Sequence, residues 1–551
     1  MTSVQFGWAD TSLSYPQVSM AVWAPSLAAM YGDRAAVVDG DRVLSYRELD
    51  EKSAQFAGAL SAAGVAEHDV VLMHLGNCAE FHIAYYGALR VGAAVTLVNP
   101  LQPEPGLRRQ IEETGAVAAV SQPQQLPTLL GAAAGTTIRL VAVVSDEPVE
   151  TGAVEAVRFD ELLAGHATEF APAQVGGDDV AHIAYTGGTT GISKGVRVLH
   201  RNVVGNVTQM CGWRAGYQTV VKDGLVSLEK IDGLDIAGVV PGEGSTIVVS
   251  PLFHAHALIN TSFLLACGLT QVLAGRFDPA RMLELIEIHR AGYITGSPAM
   301  WHALATHPDV ATRDLSTVRV VSSGAAPIDH VTLEALAVAF PNATVAEGYG
   351  LTEGTCVVTA MPLARGLRYR IGSVGLPVFD TEIEIRPQGD MTATAGPNER
   401  GELWVRGPQV TDGYLGHPEI TAEQYVDGWL ATGDIAYRDD DGYLFIADRA
   451  KDMLIYKGYN VYPRELEEIL VTHPSVSTAA VVGRDVGTTG QEPVAFVVPV
   501  AGAEVDEDEL MAYVAERVLP YKKIRDIVIL DALPTSAAGK ILKTDLRAQL
   551  E

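Results

Sequence analysis

The chain has 551 residues, with 39 basic against 67 acidic, a formal net charge of −28, 48% hydrophobic residues and 19% charged. This composition excludes a disordered chain, and so acidic a surface argues against nucleic acid and anionic membranes as partners, since both select a basic footprint. The length exceeds what one hydrophobic core serves, so more than one domain is expected.

The N-terminus, MTSVQFGWAD, has neither a basic region nor an apolar run, and no stretch approaches ~18 uncharged apolar residues. No signal peptide and no membrane span are expected. Cys78, Cys211, Cys267 and Cys356 are scattered without a CxxC pair. That spacing suits free, buried thiols in a reducing cytoplasm, not a disulfide framework or a zinc site.

Ser45 and Glu48 form a capping-box pattern that predicts a helix through Phe56 and Leu60, ended by Gly64. A strand over 70–75, a helix over 80–91 and a strand over 93–98 follow, which is the βαβ order of a parallel sheet. The Ala- and Gly-rich stretch at 131–136 reads as a loop. Further units of the same kind are expected at 246–250, 277–290, 293–296, 318–322 and 330–340. After about residue 370 the pattern changes: Glu382–Ile385 and Glu402–Val405 alternate with period 2, as half-buried antiparallel strands do. The last hundred residues predict a helix over 464–471, strands over 477–482 and 494–500, and a helix over 507–518, a compact α+β unit.

Tyr185-Thr-Gly-Gly-Thr-Thr-Gly-Ile-Ser-Lys-Gly195 packs glycines, hydroxyls and one lysine into eleven positions. Such a loop can turn its N–H groups inward around an anion, and phosphate is the natural guest. It is not a Walker A loop, because Lys194 precedes Gly195 and the flanks predict strands on both sides.

With this loop the sequence resembles the adenylate-forming superfamily of acyl-CoA synthetases, carrier-protein adenylation domains and beetle luciferases. The resemblance runs collinearly along the chain. It passes through Pro251-Leu-Phe-His254, Ser323-Gly-Ala-Ala-Pro327, Glu347-Gly-Tyr-Gly-Leu-Thr-Glu353, Thr432-Gly-Asp434, Asp448-Arg-Ala-Lys-Asp452, Lys457-Gly-Tyr-Asn-Val-Tyr-Pro463 and Pro534-Thr-Ser-Ala-Ala-Gly-Lys540.

The resemblance implies an α/β fold: a large N-terminal domain (1–450) of layered α/β sheets plus a β-barrel-like subdomain, and a small mobile α+β C-terminal domain (451–551) hinged at Lys451. It implies ATP, Mg²⁺ and coenzyme A as cofactors and a small carboxylic acid as substrate. Thr186, Thr189, Thr190 and Lys194 would bind the β- and γ-phosphates. Ala325, Ala326 and Pro327 would line the adenine slot, beside the Gly348-Tyr349-Gly350 turn whose tyrosine stacks on the base. Thr352 would contact the α-phosphate and Glu353 would hold Mg²⁺. Asp434 would accept both ribose hydroxyls, a task suited to a carboxylate, with Arg449 nearby. Lys540 would bridge the acid and the α-phosphate during catalysis. Lys451, at the hinge beside the nucleotide, would let the small domain swap Lys540 for Lys457 and Gly458, which flank the pantetheine path. His254 matches the residue gating the acid's carboxylate, and His256, Trp301 and Gly324, with Cys211, are expected in the acyl pocket.

Three departures bear on specificity. Residues 222–244 look long for the family and read either as a surface insertion or as a lid or partner surface. The insertion that marks fatty acyl-AMP ligases after the Gly-Tyr-Gly turn is absent, as is a Gly-x-Asp-Ser-Leu carrier segment before the final Glu551. Asn460 stands where plant aryl-acid ligases tend to have Gln, a slight lean toward fatty-acid ligases. The expected activity is an AMP-forming acid–thiol ligase acting on a fatty, aromatic or alicyclic acid. Transfer to a carrier protein, an amine or nitrite as acceptor, and a non-catalytic nucleotide binder are the rivals. A homodimer is compatible. Because ATP and CoA are polyanions, positive potential is expected to be confined to Lys194, Arg449, Lys457 and Lys540.

Overall fold

The computed structural model describes residues 11–149, 154–186, 193–324, 328, 330–364, 370–387, 393–457, 459–535 and 541–550. The predicted capping box is formed: Ser45 Oγ accepts from the Glu48 amide at 3.1 Å, and Glu48 Oε2 accepts from the Ser45 amide at 2.8 Å. It opens the helix Tyr46–Ala62, and Gly64 follows at φ +78°.

A seven-stranded sheet runs in the order Glu155–Arg158, Leu140–Val143, Ala118–Ser121, Val70–His74, Ala94–Leu97, Val180–Tyr185 and Gly195–Leu199. All its pairs are parallel except the last. Strand alternation sorts its side chains. Val71 and Met73 face one core, while Val70 and Leu72 face a second core shared with the helices Glu104–Thr114 and Leu126–Ala133.

Two further sheets adjoin each other through the Gly292 amide, which donates to the Ser245 carbonyl. One runs Ser245–Val248, Thr270–Leu273, Ala35–Asp39 and Arg42–Ser45. The other runs Tyr293–Gly296, Val320–Ser323, Thr344–Gly350, Val357–Ala360 and Leu376–Pro377. Between them and the seven-stranded sheet lie the helices Ala79–Arg90, His200–Ala215 and Ala255–Ala266, buried on nearly every side. A helix buried all round sits inside a large layered core. The helices Pro279–His289 and His330–Ala339 cover the outer face.

The antiparallel strands come next: Glu382–Arg386, Gly401–Arg406, Trp429–Arg438 and Leu444–Arg449, with Ile383 opposite Val405. Residues from Leu454 onward build their own cores around the sheet Val476–Asp485, Gln491–Pro499 and Asp526–Ile529. Pro463 opens the helix Pro463–Leu470 at its first turn.

One expectation is corrected. Residues 131–133 close the helix Leu126–Ala133, because its alanines are good helix formers and Ala132 and Ala133 pack into the core, so only the remainder is loop. The 222–244 segment contributes none of the residues that line the cavity described below. It lies in and after an antiparallel hairpin, Tyr217–Lys222 with Leu225–Lys230. Val226 N–H donates to Ser26 Oγ, and the segment ties back through Val239 N–H to the Arg214 carbonyl and Ala237 N–H to the Leu363 carbonyl.

The layered core buries imidazoles. His74, His82, His200 and His256 are pushed from the ordinary 6.5 down to about 4, and His182 to about 3, in each case mainly by desolvation. All five are neutral in the folded state at pH 7. The unfolded chain takes up these protons near pH 6.5, so their contribution to stability is complete above that pH and is lost as pH falls toward 4. Each group adds up to about 1.4 kcal/mol per pH unit to that slope. The urea unfolding midpoint is therefore expected to fall steeply between pH 6.5 and 4.5, and His82→Gln to flatten the slope by about one proton. A midpoint independent of pH over that range would contradict this account.

Candidate active site

The strands Val180–Tyr185 and Gly195–Leu199 pair antiparallel with Tyr185 opposite Gly195, so the glycine-rich loop closes a hairpin as predicted. At its base the Thr186 amide donates to the Lys194 carbonyl at 3.1 Å, and Ser193 Oγ donates to the Thr186 carbonyl. Thr189 and Thr190 lie outside the described residues. The outer edge of the second strand is covered by residues 413–415: Arg197 N–H donates to the Gly413 carbonyl, and Leu415 N–H to that of Gly195. This places the Tyr414 ring 5.2 Å from Lys194 Nζ. The Tyr414 hydroxyl donates to Glu353 Oε1 at 2.6 Å, and the Glu353 carbonyl accepts from the Thr411 amide at 2.9 Å. Burial, then the Glu353 carboxylate, push the Tyr414 phenol upward, so it stays a donor.

Glu353 and Lys194 therefore converge, although 159 positions of sequence separate them. Tyr414 holds the carboxylate in place. Sequence reading passed over it because a lone Gly-Tyr pair has no motif value.

The strand Thr344–Gly350 runs parallel to Val320–Ser323, then pairs antiparallel with Val357–Ala360, with Gly348 opposite Ala360. The reversal is tight. A Cβ on Gly350 would stand 1.5 Å from the Cys356 carbonyl oxygen, so only glycine permits the approach. The reversal carries Tyr349, Thr352 and Glu353. The Tyr349 hydroxyl donates to Asp434 Oδ2 at 2.5 Å, and Arg449 Nε lies 3.4 Å from Asp434 Oδ1. Asp434 and Arg449 are register partners on neighbouring strands. Ala325, Ala326 and Pro327 lie outside the described residues.

A cavity of about 250 Å³ opens beside this turn. Its lining includes Gly348–Thr352 with Cys356, Val357 and Ala360, together with His254, His256, Asn260, Gly296, Ser323, Gly324, Met210 and Arg214. His254 precedes the helix Ala255–Ala266 and its Nε2 is buried with no partner. Burial lowers the pKa of His254, and burial with His254 as neighbour takes His256 to about 4. Both rings are neutral at pH 7. Gly324 lies against the His256 ring, 3.4 Å from where its Cβ would be.

Two pocket expectations are corrected. Trp301 is fully buried in the outer core, edge-on to Phe340, and does not line the cavity, because the helix Pro298–Ala305 turns that face toward the helix His330–Ala339. Cys211 points away too, with its Sγ 3.8 Å from that of Cys267. A larger open hollow of about 620 Å³ around Arg42 and Glu48 contains none of the motif residues.

At the start of the C-terminal unit, Lys451 is exposed in a turn where the Ala450 amide donates to the Gly433 carbonyl. Asp448 Oδ2 accepts from the Arg464 amide at 3.0 Å. Lys543 Nζ lies 2.7 Å from Glu467, and Arg547 lies 2.5 Å from Asp452. The first of these contacts crosses the turn, and the other two lie within the C-terminal unit. Lys457 is exposed at φ +53°, and its amide donates to the Thr489 carbonyl. Gly458 and Lys540 lie outside the described residues.

The layered α/β body, the β-rich strands around Asp434 and the separate α+β unit define the adenylate-forming fold. The AMP-binding enzyme family matches residues 26–415, and the AMP-binding enzyme C-terminal domain matches 465–540. The chain belongs to the AMP-binding enzyme family. It is 36% identical over 534 residues to 4-coumarate–CoA ligase 3 of Oryza sativa subsp. japonica, covering 95% of this chain and 90% of that one. The benzoate CoA ligase of Burkholderia xenovorans LB400 superposes with a TM-score of 0.82 at 25% identity, covering 96% and 100% of the two chains. The anthranilate CoA ligase AuaEII, solved with anthranoyl-AMP, superposes with a TM-score of 0.85 at 22% identity, covering 98% of each chain.

Gly350→Ala is expected to destabilise the fold by about 3 kcal/mol, because the added methyl must push the two strands apart. Urea unfolding tests this, and an unchanged midpoint would show that the turn tolerates a side chain.

Proposed function

We propose that the protein is an AMP-forming ligase that activates an aromatic carboxylic acid with ATP and transfers the acyl group to coenzyme A. One observation carries this reading: a single cavity joins the Gly348–Thr352 turn to the neutral His254–His256 pair and Gly324. Nucleotide-side and acid-side residues thus face the same space. The aromatic assignment is supported by the relatives, which include 4-coumarate and benzoate CoA ligases. The slight lean toward fatty-acid ligases taken from Asn460 has no counterpart among them.

The residues suit the group each would hold. Asp434 is a buried carboxylate with Arg449 beside it, and two ribose hydroxyls would share its oxygens with Tyr349. Lys194 and Thr186 would meet the outer phosphates with Thr189 and Thr190, and Ala325, Ala326 and Pro327 would flank the base. Glu353 is a single hard oxygen ligand, and among the described residues no cluster of three or more acidic, His or Cys side chains could hold a metal by itself. It would therefore hold Mg²⁺ together with phosphate oxygens and water, as that ion commonly is held. The ion would neutralise charge on the phosphates.

In the first step a carboxylate oxygen of the acid attacks the α-phosphorus of ATP. The new O–P bond forms as the bond to pyrophosphate breaks, giving acyl-AMP. The unpartnered Nε2 of neutral His254 would bond the acid's carboxylate. Lys540, from the C-terminal unit, would stabilise the charge that builds on phosphorus. In the second step the CoA thiolate attacks the acyl carbon and AMP leaves. For this the 451–551 unit would turn about Lys451, withdrawing Lys540 and presenting Lys457 and Gly458 beside the pantetheine arm.

Pyrophosphate release and product masses would be measured with benzoic, anthranilic, 4-coumaric, octanoic and palmitic acids, with and without CoA. The expected result is pyrophosphate and acyl-CoA from an aromatic acid, with Lys540→Ala lowering adenylate formation at least about a hundredfold. Pyrophosphate from none of the acids, or adenylate formation unchanged in Lys540→Ala, would overturn the reading. Acyl-AMP that passes only to a holo-carrier would replace CoA as acceptor.

A further inference from the structure

The residue that stands out in the cavity is Arg214, which no sequence motif singles out. It lies in the last turn of the helix His200–Ala215, is 1% exposed, and lines the cavity, as Met210 does. Its Nη1 donates to the Met361 carbonyl at 2.6 Å, whereas its Nε is buried with no partner. Among the described residues no carboxylate pairs with it. It is also the one formally charged side chain among the described residues that line the cavity, since His254 and His256 are held neutral.

A guanidinium keeps its proton at any physiological pH and can only donate. Burying it without a counter-charge opposes folding, and one carbonyl does not neutralise it. Its planar fork matches the two oxygens of a carboxylate. The nucleotide-side residues of the cavity are Gly348–Thr352, and the acid's reacting carboxyl belongs beside them and His254. Arg214 is thus left for another part of the substrate.

We infer that Arg214 is a specificity residue for a second anionic oxygen group, carried by the acid at the end remote from its activated carboxyl. This rests on the ligase reading above and narrows its substrate class to acids with two negative groups. The activated carboxyl meets His254, and the second group meets the guanidinium.

The test compares 4-carboxycinnamic with 4-methylcinnamic acid, which carry a charged and an uncharged remote group, by pyrophosphate release. Wild type, Arg214→Met and Arg214→Lys would be assayed. Wild type is expected to favour the dicarboxylic acid by at least about tenfold in kcat/KM. Arg214→Met should lose about a hundredfold on that acid and under about threefold on the methyl acid, with Arg214→Lys intermediate. Wild-type preference for the methyl acid, or equal losses on both acids in Arg214→Met, would overturn the inference. If Arg214→Met does not fold, the wild-type preference and its reduction in Arg214→Lys decide the matter. If wild type releases pyrophosphate with neither these acids nor the simple aromatic acids, the ligase reading itself has failed. Activity on simple aromatic acids without preference for the charged one defeats only the present inference.

Discussion

The site depends on the hydrogen bonds that one buried helix must satisfy. His200–Ala215 lies inside the core, yet it carries Asn202, Asn206, Gln209, Trp213 and Arg214, all buried. A polar group in such a place is tolerated only if it is bonded, and here most of the bonds go to backbone that would otherwise be loose. Asn202 Nδ2 donates to the Pro408 and Val410 carbonyls, both at 2.9 Å. Asn206 exchanges two bonds with the Val357 backbone, and Gln209 Nε2 donates to the Phe379 carbonyl at 2.6 Å. Trp213 Nε1 reaches the Ala360 carbonyl at 3.1 Å, and Arg214 that of Met361. Each bond is worth about 1 kcal/mol net, and leaving its partner unmet costs more.

What this stripe fixes is functional. It pins both ends of Val357–Ala360, the strand against which Gly348–Gly350 reverses, and so sets Tyr349 toward Asp434. Through residues 408–410 it also sets the path into 411–415, whose tyrosine holds Glu353 near Lys194. One helix thereby positions both halves of the proposed nucleotide site, and its last turn brings a cation to the cavity lining. The cavity lies beyond the carboxyl ends of the parallel strands Tyr293–Gly296 and Val320–Ser323, the end at which open α/β sheets commonly bind ligands.

Much of this was legible in the sequence because periodicity and capping are local. The βαβ order from Val70 to Leu97, the alternation at Glu382–Arg386 and the Ser45 box all depend on neighbours a few residues apart, and all formed. The motif strings located Asp434, Arg449 and the Gly348–Glu353 turn for the same reason. What escaped were consequences of packing between distant segments. Trp301 reads as a pocket aromatic until the helix Pro298–Ala305 is docked, which turns it into the outer core. Tyr414 acquires meaning only when 413–415 pairs with Gly195–Leu199. Arg214 looks like an ordinary basic residue at a helix end, a favourable place for one, and its isolation becomes visible only once the helix is buried.

The measurement that tests the central claim most directly is a crystal structure of the protein with a non-hydrolysable acyl-adenylate. The account predicts ribose hydroxyls on Asp434, the base beside Tyr349, and the acyl group in the cavity between His254, Gly324 and the end of the helix His200–Ala215. An adenylate whose ribose lies away from Asp434, or whose acyl group occupies another part of the molecule, would contradict it.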